Sequence, residues 1–136
     1  MCFRDILVRR FSIAQLLLRV TVGGMMAFQH GWPKLTAYEK KFTTFLDPLG
    51  IGNELSYVLV VFAEFFAAIA VALGLFTRWA CVPNIIAMLV AAFIVHGNDP
   101  FSKKELAIFY AVGFTVIALL DGGAYSVDAW RKRRSH

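Results

Sequence analysis

LSYVLVVFAEFFAAIAVALGLF, residues 55–76, is the stretch whose reading decides how this chain folds. It runs for 22 residues with one formal charge, Glu64. At 1.5 Å per residue, about 20 helical residues cross the roughly 30 Å hydrocarbon core of a bilayer. Residues 12–31, SIAQLLLRVTVGGMMAFQHG, repeat the situation with Arg19 as the formal charge. A charge at membrane depth costs several kcal/mol even on lenient insertion scales, so it is turned inward, paired or used. Two shorter apolar blocks follow, and each extends by a turn into its flanking residues. The pattern predicts an all-α integral membrane four-helix bundle with spans at about 12–31, 55–76, 79–97 and 104–121.

Composition agrees. The chain has 136 residues, of which 59% are hydrophobic and 17% charged. A soluble domain of this size has too little interior to hide that apolar surface, whereas four spans expose it to lipid. The first apolar stretch follows Arg4, Arg9 and Arg10. It is too long for a signal-peptide core and lacks a small-residue cleavage site, so it is expected to remain as a span. The net charge of +5 does not imply nucleic acid, because the basic residues fall at span ends. The two cysteines, Cys2 and Cys81, form no CxxC pair, and no disulfide is expected.

Lys and Arg counts set an orientation. Eight basic residues (Arg4, Arg9, Arg10, Arg78, Arg131, Lys132, Arg133, Arg134) fall on one side and five (Lys34, Lys40, Lys41, Lys103, Lys104) on the other. The positive-inside rule then places the N and C termini in the cytoplasm. In the first outer loop, Tyr38, Phe42, Phe45, Leu46 and Leu49 recur at helical spacing. They predict a short interfacial helix ended by Asp47-Pro48 and the 50–52 turn. No internal repeat or second domain is visible, so residues 1–136 read as one membrane domain.

The polar residues give two candidate sites. Arg19, Gly23, Met26 and His30 share one helical face, and Gly23 and Gly24 allow a close approach. Arg19 and Glu64 are expected at similar depth, which predicts a buried Arg19–Glu64 pair at the bundle centre, with Tyr110 within reach. Such a pair is either a register-fixing contact or part of a proton relay or headgroup site. The second site is the outer rim, where His30, Trp32, Lys34, His96, Asp99 and Glu105 converge by topology. His30 and His96 are weak candidates for a shared metal or haem, since no HxxxH, HExxH or CxxCH spacing accompanies them. Asn84 and Asp121 read most simply as packing or interfacial residues.

Over nearly its full length the chain resembles the DoxX family of small bacterial inner-membrane proteins. The matching pieces are the first-span arginine with the segment Gly24 to Leu35 ending HGWPKL, the Glu64 span closing in GLFTR (Gly74 to Arg78), His96-x-x-Asp99-Pro100-Phe101, the KELA start of the fourth span with Tyr110, and the closing Gly123-x-Tyr125-Ser126-x-Asp128. One departure is the segment Asp121-Gly122-Gly123-Ala124-Tyr125-Ser126, where the family often reads GxGxYS. The resemblance implies a multi-pass inner-membrane protein associated with respiratory or sulfur redox chemistry. The related DoxD proteins are thought to supply a membrane subunit of thiosulfate:quinone oxidoreductase. On that footing the chain is expected to be a redox-associated membrane subunit binding a quinone-like or other small redox substrate, with haem or metal a lesser expectation. No extramembrane domain is attached, so a soluble redox enzyme partner would be a separate chain. The alternative is a non-catalytic small-solute carrier, needing a homodimer, or a membrane scaffold for a soluble redox enzyme.

Overall fold

The computed structural model of the protein describes residues 2–135. Its helices are α1 (Phe3–Thr36), α2 (Tyr38–Lys41), α3 (Asn53–Leu73), α4 (Thr77–Val95), α5 (Phe101–Leu120) and α6 (Val127–Arg134). Three of them, α1, α3 and α4, are long and apolar enough to cross a membrane. The 20-residue α5 packs lengthwise against α4 and α1 and completes the bundle; its first turn carries Lys103, Lys104 and Glu105. The start of α1, the helix α6 and the tight α3–α4 turn lie at one face, here the terminal face. The loops 37–52 and 96–100 lie at the other, the loop face.

Small and flexible apolar residues fill the seam between helices. Met26, Ala27, Ala68, Val71, Cys81 and Phe114 are fully buried. Gly23 puts α1 directly on α3, where an added Cβ would lie 2.7 Å from the Ala68 carbonyl oxygen and 2.9 Å from the Ala72 nitrogen. Gly24, expected to share that duty, has open space around it. Outward-facing positions are as apolar as the core: Leu17, Phe28, Phe62, Phe66, Phe93 and Phe109 are all exposed. In water this surface would aggregate; in lipid it is the solvated surface.

Two features differ from expectation. The first helix has 34 residues, about 51 Å, so it starts well before Ser12 and continues past His30 through Lys34. The loop helix is one turn, Tyr38–Lys41, rather than an amphipathic stretch reaching Asp47. Asp47 explains the difference, because its carboxylate organises the rest of the loop. It accepts hydrogen bonds from the backbone N–H of Gly52 at 2.8 Å and Ile51 at 2.9 Å and from the Ser56 hydroxyl at 2.9 Å, tying the loop to the start of α3. These bonds, that from Gly52 foremost, hold the Asp47 carboxyl below the usual carboxylate range.

Three helices contain π-helical turns, at Met26–Gly31, Phe62–Ala67 and Ala91–Val95. The first ends two residues before Pro33, which has no N–H to give the Gln29 carbonyl, so the α-helical bonding is already interrupted there. The first two π-turns pack against each other. An added Cβ on Gly31 would lie 2.6 Å from the Glu64 carbonyl carbon and 2.7 Å from the Phe65 Cα, so two backbones touch where Glu64 is presented.

Candidate functional site

Arg19 and Glu64 do not meet. The Arg19 side chain is buried against the terminal face and is consumed by backbone carbonyls. Its Nε donates to Gly122 at 3.0 Å, one terminal nitrogen donates to Tyr125 at 2.5 Å, and the other donates to Ala72. Ala72 lies in the last turn of α3, where carbonyls have no helical partner, and Gly122 and Tyr125 lie in the turn that follows α5. In a bilayer such carbonyls must be satisfied within the protein, and a guanidinium with five donors does this at a helix C-terminus with the favourable sign of charge. Gln15, one turn earlier, does the same for the Leu120 carbonyl at 2.6 Å. The carboxylate whose field reaches Arg19 is Asp128. The expected depth was also wrong: Ala72 is eight residues from Glu64, about 12 Å along α3, so Arg19 sits near the terminal face rather than mid-membrane.

Asp128 closes this end of the molecule. Its two carboxylate oxygens accept from the backbone N–H of Phe76 at 3.0 Å and of Thr77 at 3.2 Å. It thereby caps α4 and supports Phe76, a non-glycine residue at φ 46°. Its own N–H donates to the Gly74 carbonyl at 3.0 Å. The Ser126 hydroxyl accepts from the Ala129 N–H at 3.1 Å and starts α6.

Glu64 is answered from the loop side. Its carboxylate is buried within the α3 π-turn and forms an ion pair with Lys34, whose side chain is 28% exposed. Because α1 continues helically beyond Gly31, Lys34 falls one turn after His30 on the same face, and its aliphatic stem reaches inward while its ammonium group meets the carboxylate. The ammonium also donates to the His30 carbonyl at 3.4 Å. The imidazole of His30 stands edge-on to the ring of Tyr110, with centroids 5.5 Å apart, and Tyr110 is buried. Four of the predicted residues, His30, Lys34, Glu64 and Tyr110, therefore form one cluster in the loop-side half of the bundle.

The others stand apart. Trp32 is half exposed and packs on Phe65 with centroids 5.8 Å apart, outside the cluster. His96 pairs locally with Asp99 at 2.7 Å in the α4–α5 loop. Glu105 is exposed on the first turn of α5. Among the described residues no group of three or more His, Cys, Asp or Glu side chains could hold a metal ion.

Tyr57 is a member that sequence reasoning missed. Fully buried, it donates its hydroxyl to the Lys34 carbonyl at 2.7 Å and fixes the end of α1 from which Lys34 reaches Glu64. Its signal was available: Tyr57, Val61 and Glu64 are spaced i, i+4, i+7 on one face of α3, and all three are buried. Asn84, read as a packing residue, is fully buried; its amide nitrogen donates to the Ala80 carbonyl at 3.2 Å while its Oδ1 has no hydrogen-bond partner.

Comparison with known proteins is consistent with this architecture. The DoxX family model matches residues 14–97, which carry Arg19, His30, Lys34 and Glu64 and stop short of Tyr110 and Asp128. The inner membrane protein YqjF of Escherichia coli (strain K12) is 28% identical over 102 residues, covering 72% of this chain and 77% of that protein. No solved structure matches.

Proposed function

The chain belongs to the DoxX family and is a multi-pass protein of the inner membrane, and from that premise we propose that it binds a quinone-like redox substrate at the His30–Lys34–Glu64–Tyr110 cluster. The observation that carries this reading is the Glu64 carboxylate, buried inside a membrane helix with a lysine that is itself partly exposed as its ion-pair partner. A headgroup carbonyl accepts from the Lys34 ammonium and the Tyr110 hydroxyl, while Glu64 and His30 are the groups able to give and take protons. Reduction of a quinone to its quinol takes two electrons and two protons. The cluster handles protons, and the electrons come from a soluble redox enzyme docked on the membrane subunit. The excess of basic residues at the terminal face supports a cytoplasmic position for both termini, which puts the cluster in the opposite half of the membrane.

Arg19 has no part in this chemistry, and its removal from the polar axis weakens the carrier alternative, which used Arg19 to favour anions along a through-path. The test is organic extraction of the detergent-purified protein with quantification of co-purifying quinone. The unaltered protein should retain quinone, and Glu64→Gln and Lys34→Met should lose it with helix content intact. An unaltered protein that neither retains quinone nor binds an added short-chain quinone would overturn the assignment and return weight to the carrier or scaffold.

A further inference from the structure

A cavity of about 440 Å³ opens at the terminal face, far from the Glu64 cluster. Its floor is the α3–α4 turn, and one wall is α6, held in place by Asp128. Three cations line it, Arg78, Arg131 and Lys132, together with two carboxylates, Asp121 and Asp128. The carboxylates are already committed. Both oxygens of Asp128 are occupied by the backbone of Phe76 and Thr77. One oxygen of Asp121 takes the Gly122 N–H at 2.8 Å and the other faces Arg78 at 3.4 Å. The Arg78–Asp121 pair is solvent-exposed, a weak class of contact that a better anion displaces. Arg131 lies over the Phe76 ring, its guanidinium carbon 5.1 Å from the centroid. The cavity thus carries a net cationic lining.

Its level in the membrane is marked by tryptophan. Trp79 lines the cavity and is 79% exposed, and Trp130 on α6 is half exposed, as in the aromatic belts at bilayer interfaces. From Trp79 a lipid-facing apolar stripe climbs α4 through Val82, Ile86, Leu89 and Phe93, at intervals of three and four residues. A cationic cavity at headgroup level that opens onto an apolar track at acyl-chain level has the polarity of one molecule type. We propose that this cavity is a binding site for the phosphate headgroup of an anionic phospholipid, with its chains laid along α4. Basic pockets between membrane helices recognise such headgroups through charge-assisted bonds from Arg and Lys to phosphate oxygens.

The experiment is thermal stabilisation of the full-length detergent-purified protein by added phosphatidylglycerol, phosphatidylcholine or inorganic phosphate. Three forms are compared: the unaltered chain, Arg131→Gln with Lys132→Gln, and Arg133→Gln with Arg134→Gln. The two double variants lose equal charge from the same helix, but only the first alters the cavity lining. Having lost two charge-assisted contacts to the phosphate, the first variant should need on the order of thirtyfold more phosphatidylglycerol for the same stabilisation. The second should need nearly the parental amount. Equal loss in both variants, or in neither, overturns a defined site in favour of diffuse charge. Stabilisation by inorganic phosphate as effective as by lipid overturns the lipid assignment in favour of a soluble anion. Because Arg131 also covers Phe76, native mass spectrometry of the unaltered protein from mixed micelles gives a reading that needs no variant. Preferential retention of one phosphatidylglycerol over phosphatidylcholine supports the site, and equal retention of the two overturns it.

Discussion

Arg19 and Glu64 pose the same problem and solve it in opposite ways. Both are ionisable residues inside membrane helices, and both are buried. Around Arg19 every contact is a fixed one. Three backbone carbonyls from α3 and the turn after α5 converge on its guanidinium, and Gln15 ties down a fourth carbonyl beside it. Around Glu64 the partner is a mobile type of side chain, a lysine with access to the loop face, and the neighbours are a histidine and a tyrosine that also titrate or donate. A charge consumed by backbone is architecture, whereas a charge answered by one exchangeable side chain is open to a ligand. On the function proposed above, the rule that intramembrane charges mark function holds at only one of the two positions.

The comparison breaks or sharpens under substitution. The largest effect should come from Arg19→Leu, which leaves three carbonyls without donors in an apolar setting. A loss of about 3 kcal/mol or more in detergent unfolding is expected. Arg19→Lys should recover only part of it, because one compact ammonium cannot span three carbonyls on two segments as the guanidinium does. A stable Arg19→Leu protein that had lost only substrate binding would reverse the two roles. Next is Gly31→Ala, whose new methyl would collide with the Glu64 and Phe65 backbone. Separation of α1 from α3 should cost about 1–3 kcal/mol and also disturb the Lys34–Glu64 pair, visible as a parallel loss of stability and of bound quinone. Glu64→Gln should unfold within about 1 kcal/mol of the parent, since Lys34 can relax toward the loop face, while bound quinone is lost. Equal destabilisation by Glu64→Gln and Arg19→Leu would show that both charges are structural.

The smallest effect is at the loop. The folded-state value of Asp47 lies below its unfolded one, so its contribution is present above the ordinary carboxylate value of about pH 4 and is lost as acidification passes the lower folded value. Asp47→Asn should lower the neutral plateau of a stability–pH curve slightly and flatten its acid limb, so that variant and parent converge as the pH falls.

The bundle itself was legible because the length of an apolar run is a one-dimensional property, and residues 55–76 display it directly. The members of the Glu64 cluster were legible for a related reason: topology puts His30 and Lys34 at the loop-side end of the first helix, and Tyr110 was expected within reach of Glu64. The partnership was not legible. It depends on the vertical register of α1 against α3, and a helix that begins at Phe3 rather than Ser12 and stays helical to Thr36 brings Lys34 to where Arg19 was expected. Nor does a sequence display which carbonyls a fold leaves orphaned, and those are what claimed Arg19. The His96–Asp99 pair has the opposite character: its three-residue separation makes it a local contact, and its rim neighbours His30 and Lys34 turn inward instead.

The contacts of Arg19 with Gly122 and Tyr125 join residues 103 and 106 positions apart. During synthesis, then, the guanidinium enters the membrane long before two of its three acceptors exist. At about 5–20 residues per second the interval is roughly 5–20 s. Throughout it the first span has to keep its arginine hydrated at the terminal face or sheltered by the insertion machinery. The first span thus reaches its final surroundings only after Gly122 and Tyr125, about a hundred residues later in the chain, have been made.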